Sequence, residues 1–197
     1  MLDGNTEGTS PLLSEDAVET TRQRLLQTTR AYLLGAIHDA TERKLTFRIS
    51  QKYKAYPKFI KKLLAKIGKK AWIYKEGKNR NVYIVEFSKS LLNGLKIISN
   101  EEKKYYIRGY FDSEGGISKD PNLRFYIYFA QKNKADLEEL RNFLIDLGID
   151  CGIPHNPSKK ADPNYWRFFI RAKSYKKFVE EIGSWHPEKS RLLRMKI

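Results

Sequence analysis

One run of residues occurs twice in this chain. Phe47-Arg48-Ile49-Ser50-Gln51-Lys52 and Tyr126-Ile127-Tyr128-Phe129-Ala130-Gln131-Lys132 both alternate apolar and polar side chains, and both end in Gln-Lys. Seventeen residues beyond each glutamine stands a glycine, Gly68 in one case and Gly148 in the other. The intervening stretches, 58–67 and 137–147, carry apolar residues at helical spacing, so each glycine falls where a helix C-terminus requires left-handed backbone. A strand pair follows in each half. Ala71 to Tyr74 pairs with Val82 to Phe87 across a polar loop, and Asp150 to Ile153 pairs with Tyr165 to Ile170 across a longer Pro-rich loop. A closing helix is expected to start near Ser88 and again near Ser174.

Each half is also preceded by an apolar segment with a central glycine: Ala31 to Ile37 around Gly35, and Lys104 to Phe111 around Gly109. Glycine inside a helix costs ~1 kcal/mol against alanine and needs a compensating reason. Close approach of two helix backbones supplies one. Acids follow both glycines, Asp39 in the first segment, and Asp112 and Glu114 in the second. The order α-β-β-α-β-β-α thus appears twice. The reading is an α+β fold of two such repeats about a pseudo-twofold axis, each with a curved antiparallel sheet. Residues 1–13 form a flexible Gly/Ser/Thr-rich leader, 14–98 the first repeat and 99–197 the second. Ser14 is placed to cap a helix opening at Glu15-Asp16.

Charge narrows the partner. The 197 residues hold 38 Lys+Arg against 23 Asp+Glu, a net +15. Five of the acids lie within residues 1–21, which have no Lys or Arg, so the remainder carries +20. A surplus of this size suits a polyanion, nucleic acid before an anionic membrane. No apolar run approaches the ~20 residues of a membrane span, and an intracellular setting, cytoplasmic or organellar, is the expectation. The single Cys151 leaves no internal disulfide and no multi-cysteine zinc site. His38, His155 and His186 lack ligand-like spacing.

The second motif, Ile107-Arg108-Gly109-Tyr110-Phe111-Asp112-Ser113-Glu114-Gly115, resembles the nine-residue signature of the LAGLIDADG homing endonucleases in their single-chain, two-repeat form. The resemblance spans roughly residues 32–182. It implies a site-specific endonuclease cutting long double-stranded DNA with divalent metal (Mg²⁺, with Mn²⁺ or Ca²⁺ able to replace it), acting as a monomer without an obligate protein partner and encoded within an intron. It passes the metal-binding and catalytic acid to Glu114. The first motif, Leu33 to Thr41, departs: the acid's usual place is Ala40, and Asp39 comes one residue early. A tightened helix end is needed to present Asp39. The resemblance also assigns Gln51 and Gln131 to ordering water near the metals. Both fall on the apolar parity of their strands, so a bend or bulge is expected to re-aim them. Asp112 reads as structural, facing helix ends or solvent. The bland readings are helix-end solvation for Asp39 and Glu114 and strand-end polarity for the glutamines. The competing function is an impaired protein on the same scaffold: a nickase, a DNA-binding regulator or an RNA-splicing maturase.

The strands carry the DNA readers. Alternation leaves Thr46, Arg48 and Ser50 on the exposed face of the first half, and Arg124, Tyr126 and Tyr128, opposite Leu123, on that of the second. Lys52 and Lys132 extend these faces. Strands of about eight residues, each ~3.3 Å long, would follow most of a turn of DNA in the major groove. Outer strands and loops add Tyr74, Lys75, Lys78, Asn79, Arg80 and Asn81. The second half adds His155, Asn156, Lys159, Lys160, Arg167 and Arg171. Any one of these can instead be part of a solvated basic surface. Trp72, Trp166 and Trp185 read as core anchors, and the basic tail from Lys189 to Lys196 as phosphate-binding or solvated.

Overall fold

A computed structural model describes residues 15–118 and 124–196. Ser14, Leu123 and the leader lie outside the described residues. Two halves of like order make up the chain. The first runs α1 (Glu15–Ala36), a 3₁₀ turn (Ile37–Asp39), β1 (Thr41–Glu42), β2 (Thr46–Gln51), α2 (Ala55–Lys66), β3 (Ala71–Lys75) and β4 (Tyr83–Ser88). The second runs α3 (Asn100–Glu114), β5 (Gly115–Ile117), β6 (Ile127–Gln131), α4 (Lys134–Asp146), β7 (Trp166–Phe169), α5 (Tyr175–Glu181) and α6 (Pro187–Lys196). Both sheets are antiparallel, in the orders β1-β2-β4-β3 and β5-β6-β7. No described helix is long and apolar enough to cross a membrane.

Local chemistry explains the shared elements. The α2 and α4 helices end alike. Gly68 (φ 69°) donates to the Ala65 carbonyl and Lys69 to that of Leu64. Gly148 (φ 68°) donates to Ile145 and Ile149 to Leu144. This is the double closure in which a left-handed glycine satisfies the last carbonyls of a helix. A full capping box opens α3: Ser99 accepts from the Glu102 amide while the Glu102 carboxylate accepts from the Ser99 amide.

The glycine seam is the tightest contact of the fold. A Cβ built on Gly35 would fall 2.0 Å from the Tyr106 carbonyl oxygen, and one on Gly109 would fall 1.9 Å from that of Tyr32. Bare backbones therefore touch where α1 crosses α3, which is the reason the sequence tolerates glycine there. Two apolar clusters flank the seam. One is built around Tyr32, Ile49, Ile60, Leu64 and Phe87, the other around Phe111, Phe129, Leu140, Phe168 and Phe178. The C-terminal segment crosses between them. Trp185 packs 4.7 Å from the Tyr32 ring, and His186 packs 4.8 Å from that of Tyr56.

Several expectations are corrected. The two halves are not equal. The partner of β7 shrinks to isolated bridges, Cys151 with Ile170 and His155 with Arg167. Pro154, Pro157 and Pro163 interrupt that stretch and cannot donate to a ladder. The first closing helix is a single 3₁₀ turn, Lys89–Leu92, capped by Ser88. The strands have six residues at most, so a β2 of ~3.3 Å per residue spans about 20 Å rather than most of a DNA turn. The helix that opens at Glu15 runs unbroken through Gly35, so the first glycine segment is the end of α1.

Candidate functional site

The seam delivers the ends of two helices to one place. In the second motif α3 stays α-helical through Glu114, five residues past Gly109. In the first, α1 gives way after Ala36 to a 3₁₀ turn through Asp39, closed by the Ala40 amide on the Ile37 carbonyl at 2.8 Å. Three residues turning ~120° each in place of ~100° advance the chain by about 60° more, which recovers much of the ~100° lost by the missing residue. The tightening expected for the irregular motif is therefore present in the backbone.

Electrostatics tie the two acids together. The Glu114 carboxyl is pushed up to about 7, first by desolvation and then by the charge of Asp39. Asp39 keeps solvent access, yet enough protein surrounds it to raise its own pKa. Lys189 pulls both acids the other way. Two like charges sharing a site raise the cost of ionising either one.

Gln131 reaches this site without a bulge. Its Nε2 donates to Glu114 Oε1 at 3.3 Å, while its Oε1 accepts from the Lys132 amide at 2.7 Å. The ladder is regular to the strand end, with Gln131 opposite Trp166. The apolar parity that looked like an obstacle is the means of delivery, because that face of β6 packs against α3 and leads to the helix end. Gln51 has the matching register, opposite Tyr83. Among the described residues it makes no side-chain hydrogen bond to Asp39.

Two further residues define the surroundings. Asp112 is 1% exposed and lies behind the site, accepting from the Tyr32 hydroxyl (2.6 Å), the Trp185 amide (3.0 Å) and the Ser184 hydroxyl. It is a structural hub facing the C-terminal segment, not solvent. By sequence, Lys189 belongs to the basic tail. Its Nζ donates to the carbonyls of Phe111 (2.6 Å), Asp112 (3.0 Å) and Gly115 (2.6 Å), which caps the end of α3 where Glu114 sits. No local signal marks it, because the contact spans 74 residues of chain. His38 packs on the Tyr110 ring and bonds the Tyr106 hydroxyl at 2.8 Å, a packing role.

Each sheet turns its other face away from the core. On the first, Thr46, Arg48 and Ser50 share that face with Trp72, Tyr74 and Glu86. Glu86 draws several of them together. It accepts from Thr46 and Tyr74 and pairs with Arg48 at 3.8 Å, and these contacts lower its pKa. Trp72 is 54% exposed on this face, so its reading as a core anchor is corrected. Lys75 follows Tyr74 on the strand and takes the opposite parity, so the two cannot serve one face. Lys52, Lys78, Asn79, Arg80 and Asn81 are exposed, with Arg80 near Glu76 at 3.6 Å.

On the second sheet Tyr128, Arg167 and Phe169 share the outer face. Arg124 and Tyr126 precede β6, which begins only at Ile127. Arg124, Lys132, His155, Lys159, Lys160 and Arg171 are exposed. Asn156 is corrected as a base reader. Its amide donates to the carbonyls of Asp162 and Pro163, both at 2.9 Å, and accepts from Ser158, so it pins its own loop.

Comparison with known proteins agrees with this architecture. The family described as a LAGLIDADG-like domain matches residues 101–183. Among solved structures, the homing endonuclease I-DmoI in complex with DNA and Ca is 22% identical over 86% of this chain and 98% of that one, at a TM-score of 0.65. Mesophilic variants of I-DmoI are 22% identical, covering 80% of this chain and 91% of theirs, with TM-score 0.62. Full-length DUF199/WhiA from Thermatoga maritima is 20% identical, covering 90% of this chain and 66% of that one, with TM-score 0.63. No curated protein matches the sequence. At these identities the structural likenesses establish the fold.

Proposed function

We propose, from the premise that this chain carries a LAGLIDADG-like domain within the LAGLIDADG architecture, that it is a site-specific endonuclease. Its substrate would be a long double-stranded DNA target, and its cofactor a divalent metal. It would act as a monomer encoded within an intron. The observation that carries this reading is the packing of the 3₁₀ turn that bears Asp39 against α3, the helix that ends in Glu114, with the charge of Asp39 felt at Glu114.

The donors suit a hard cation. The two carboxylates offer oxygen ligands, and the described residues contain no cluster of three or more His, Cys, Asp or Glu. Mg²⁺ needs only one or two carboxylates, filling its shell with water and phosphate oxygen. I-DmoI has been solved with DNA in the presence of Mn, Mg or Ca, which supports the same class of ion here. A bound divalent ion neutralises the attacked phosphate and makes water a stronger nucleophile. The remaining work falls to the chain. Asp39 and Glu114 would hold the ion, Gln131 would orient the Glu114 carboxylate, Lys189 would keep the helix end in place, and the outer sheet faces would bind the nucleic acid.

A second reading, binding without double-strand cleavage, is favoured by one observation: Asp39 comes a residue early, and the 3₁₀ turn recovers only part of its rotation. Incubating the protein with a fragment library of long duplexes and Mg²⁺, then sequencing the new ends, separates the two. The first reading expects double-strand breaks at a common sequence, lost in EDTA and in Glu114→Gln. Selective binding of duplex with no new ends would establish the second.

A further inference from the structure

The two outer sheet faces differ at one equivalent position. Arg48 and Tyr128 hold the same repeat position, three residues before Gln51 and Gln131. Their cross-strand partners, Glu86 and Phe169, also correspond, three residues after the partners of those glutamines. An ion pair in the first half, Arg48–Glu86 at 3.8 Å, is thus replaced by an aromatic pair in the second, Tyr128–Phe169 with centroids 6.2 Å apart.

The aromatic character extends around Phe169. Tyr126 meets its ring edge-on at 5.5 Å, His155 stacks on it at 5.8 Å and 26°, and the Arg167 guanidinium lies 5.1 Å from its centroid. These side chains border a cleft of about 530 Å³, within the ~300–1,000 Å³ range of ligand clefts. Arg124, Arg167 and Arg171 line it, and none of its described lining residues is a carboxylate. The Arg167 Nε is shielded from solvent and makes no hydrogen bond. The row also starts beside the acid pair. The Tyr128 ring covers Gly116, two residues past Glu114, so closely that a Cβ there would lie 2.1 Å from the ring.

Flat rings with arginines and no acid among the described lining residues suit a planar π-system that carries negative charge. In a duplex, base faces are covered by their neighbours and only base edges are open to readers. A stacking surface is useful only for a base out of the stack. We propose that this cleft takes an unpaired nucleobase with its adjoining phosphate, so that the second half engages an unstacked or single strand while the first engages duplex. This rests on the nucleic-acid-binding reading above and adds the substrate form for one half.

Equilibrium binding of the full chain to one sequence prepared as duplex DNA, single-stranded DNA and single-stranded RNA, at fixed salt, tests it. Phe169→Ala is expected to weaken single-strand binding roughly tenfold, the loss of one base stack, and to weaken duplex binding by clearly less. His155→Ala, on the exposed rim and outside the core, should shift single-strand binding the same way and guards against a folding defect in the strand variant. The single strand with the larger loss identifies the sugar the cleft accepts. Equal losses on duplex and single strands, or no loss in either variant, would overturn the proposal. Wild-type protein that binds none of the three nucleic acids would instead overturn the nucleic-acid reading beneath it.

Discussion

The Lys189 ammonium and the Gly115 carbonyl oxygen are 2.6 Å apart, so the C-terminal helix holds the residue that follows Glu114. The same ammonium caps Phe111 and Asp112. A substitution that keeps the stem but removes the charge, Lys189→Met, leaves three part-buried carbonyls without this donor. Each unsatisfied group costs ~1–3 kcal/mol, and some regain water, so a total loss of about 2–3 kcal/mol in urea unfolding is expected. The Glu114 carboxyl should also titrate higher than in the wild type, since Lys189 lowers it. An NMR titration giving an unchanged Glu114 midpoint would remove Lys189 from the site.

Glu114 should make stability depend on pH. Its carboxyl titrates near 7 in the fold against an ordinary value of 4.5. Below 4.5 both folded and unfolded chains hold the proton. Above that, the unfolded chain releases it first, so stability is lost as pH rises until the folded carboxyl also ionises near 7. A divalent ion held by these acids would offset the loss above pH 7. Thermal unfolding at pH 5 and pH 8, with EDTA or Mn²⁺, reads both effects. Glu114→Gln should flatten the pH dependence and abolish the metal-induced gain, and a variant retaining both would place the metal elsewhere.

The seam should not accept a methyl group. Alanine favours a helix over glycine by ~1 kcal/mol, but a Cβ within 2.0 Å of a facing carbonyl must push two backbones apart. Overpacking typically costs ~1–3 kcal/mol, and backbone yields less than side chain, so Gly35→Ala and Gly109→Ala should each lose about 2 kcal/mol or more net. An unfolding midpoint that stays put or rises in either variant would contradict the packing described.

Each acid should govern one strand. With the two carboxylates on separate helices, Asp39→Asn is expected to convert double-strand cleavage to nicking, seen as open-circular product from a supercoiled plasmid carrying a selected site. Linear product at the wild-type rate would show that the first motif contributes no ligand.

Much of this was legible along the chain. The Gly35 and Gly109 segments, the helix ends at Gly68 and Gly148, and the alternation that puts Arg48 and Tyr128 outward depend on chemistry within a few residues. Gln131 shows the limit of that reading. Its parity was correct, but the inference that it needed a bulge was not, because sequence does not say that the packed face of β6 ends beside Glu114. Trp72 was assigned to the core on residue type, yet its strand position turns it outward. The unequal halves were partly foreseeable, since the prolines after Ile153 announce the loss of a strand.

By itself, the sequence determined a twice-repeated α+β order, a glycine contact between two helices and an acid beyond each glycine. These follow from periodicity, capping and the absence of a Cβ, which act between near neighbours. Tertiary structure alone decided that the packed face of β6 would end at Glu114, that Lys189 would return across 74 residues to hold the end of α3, and that Arg48 of one sheet would meet an acid where Tyr128 of the other meets a ring. Those outcomes depend on which distant surfaces are buried together, and close packing sets them only once both halves are in place.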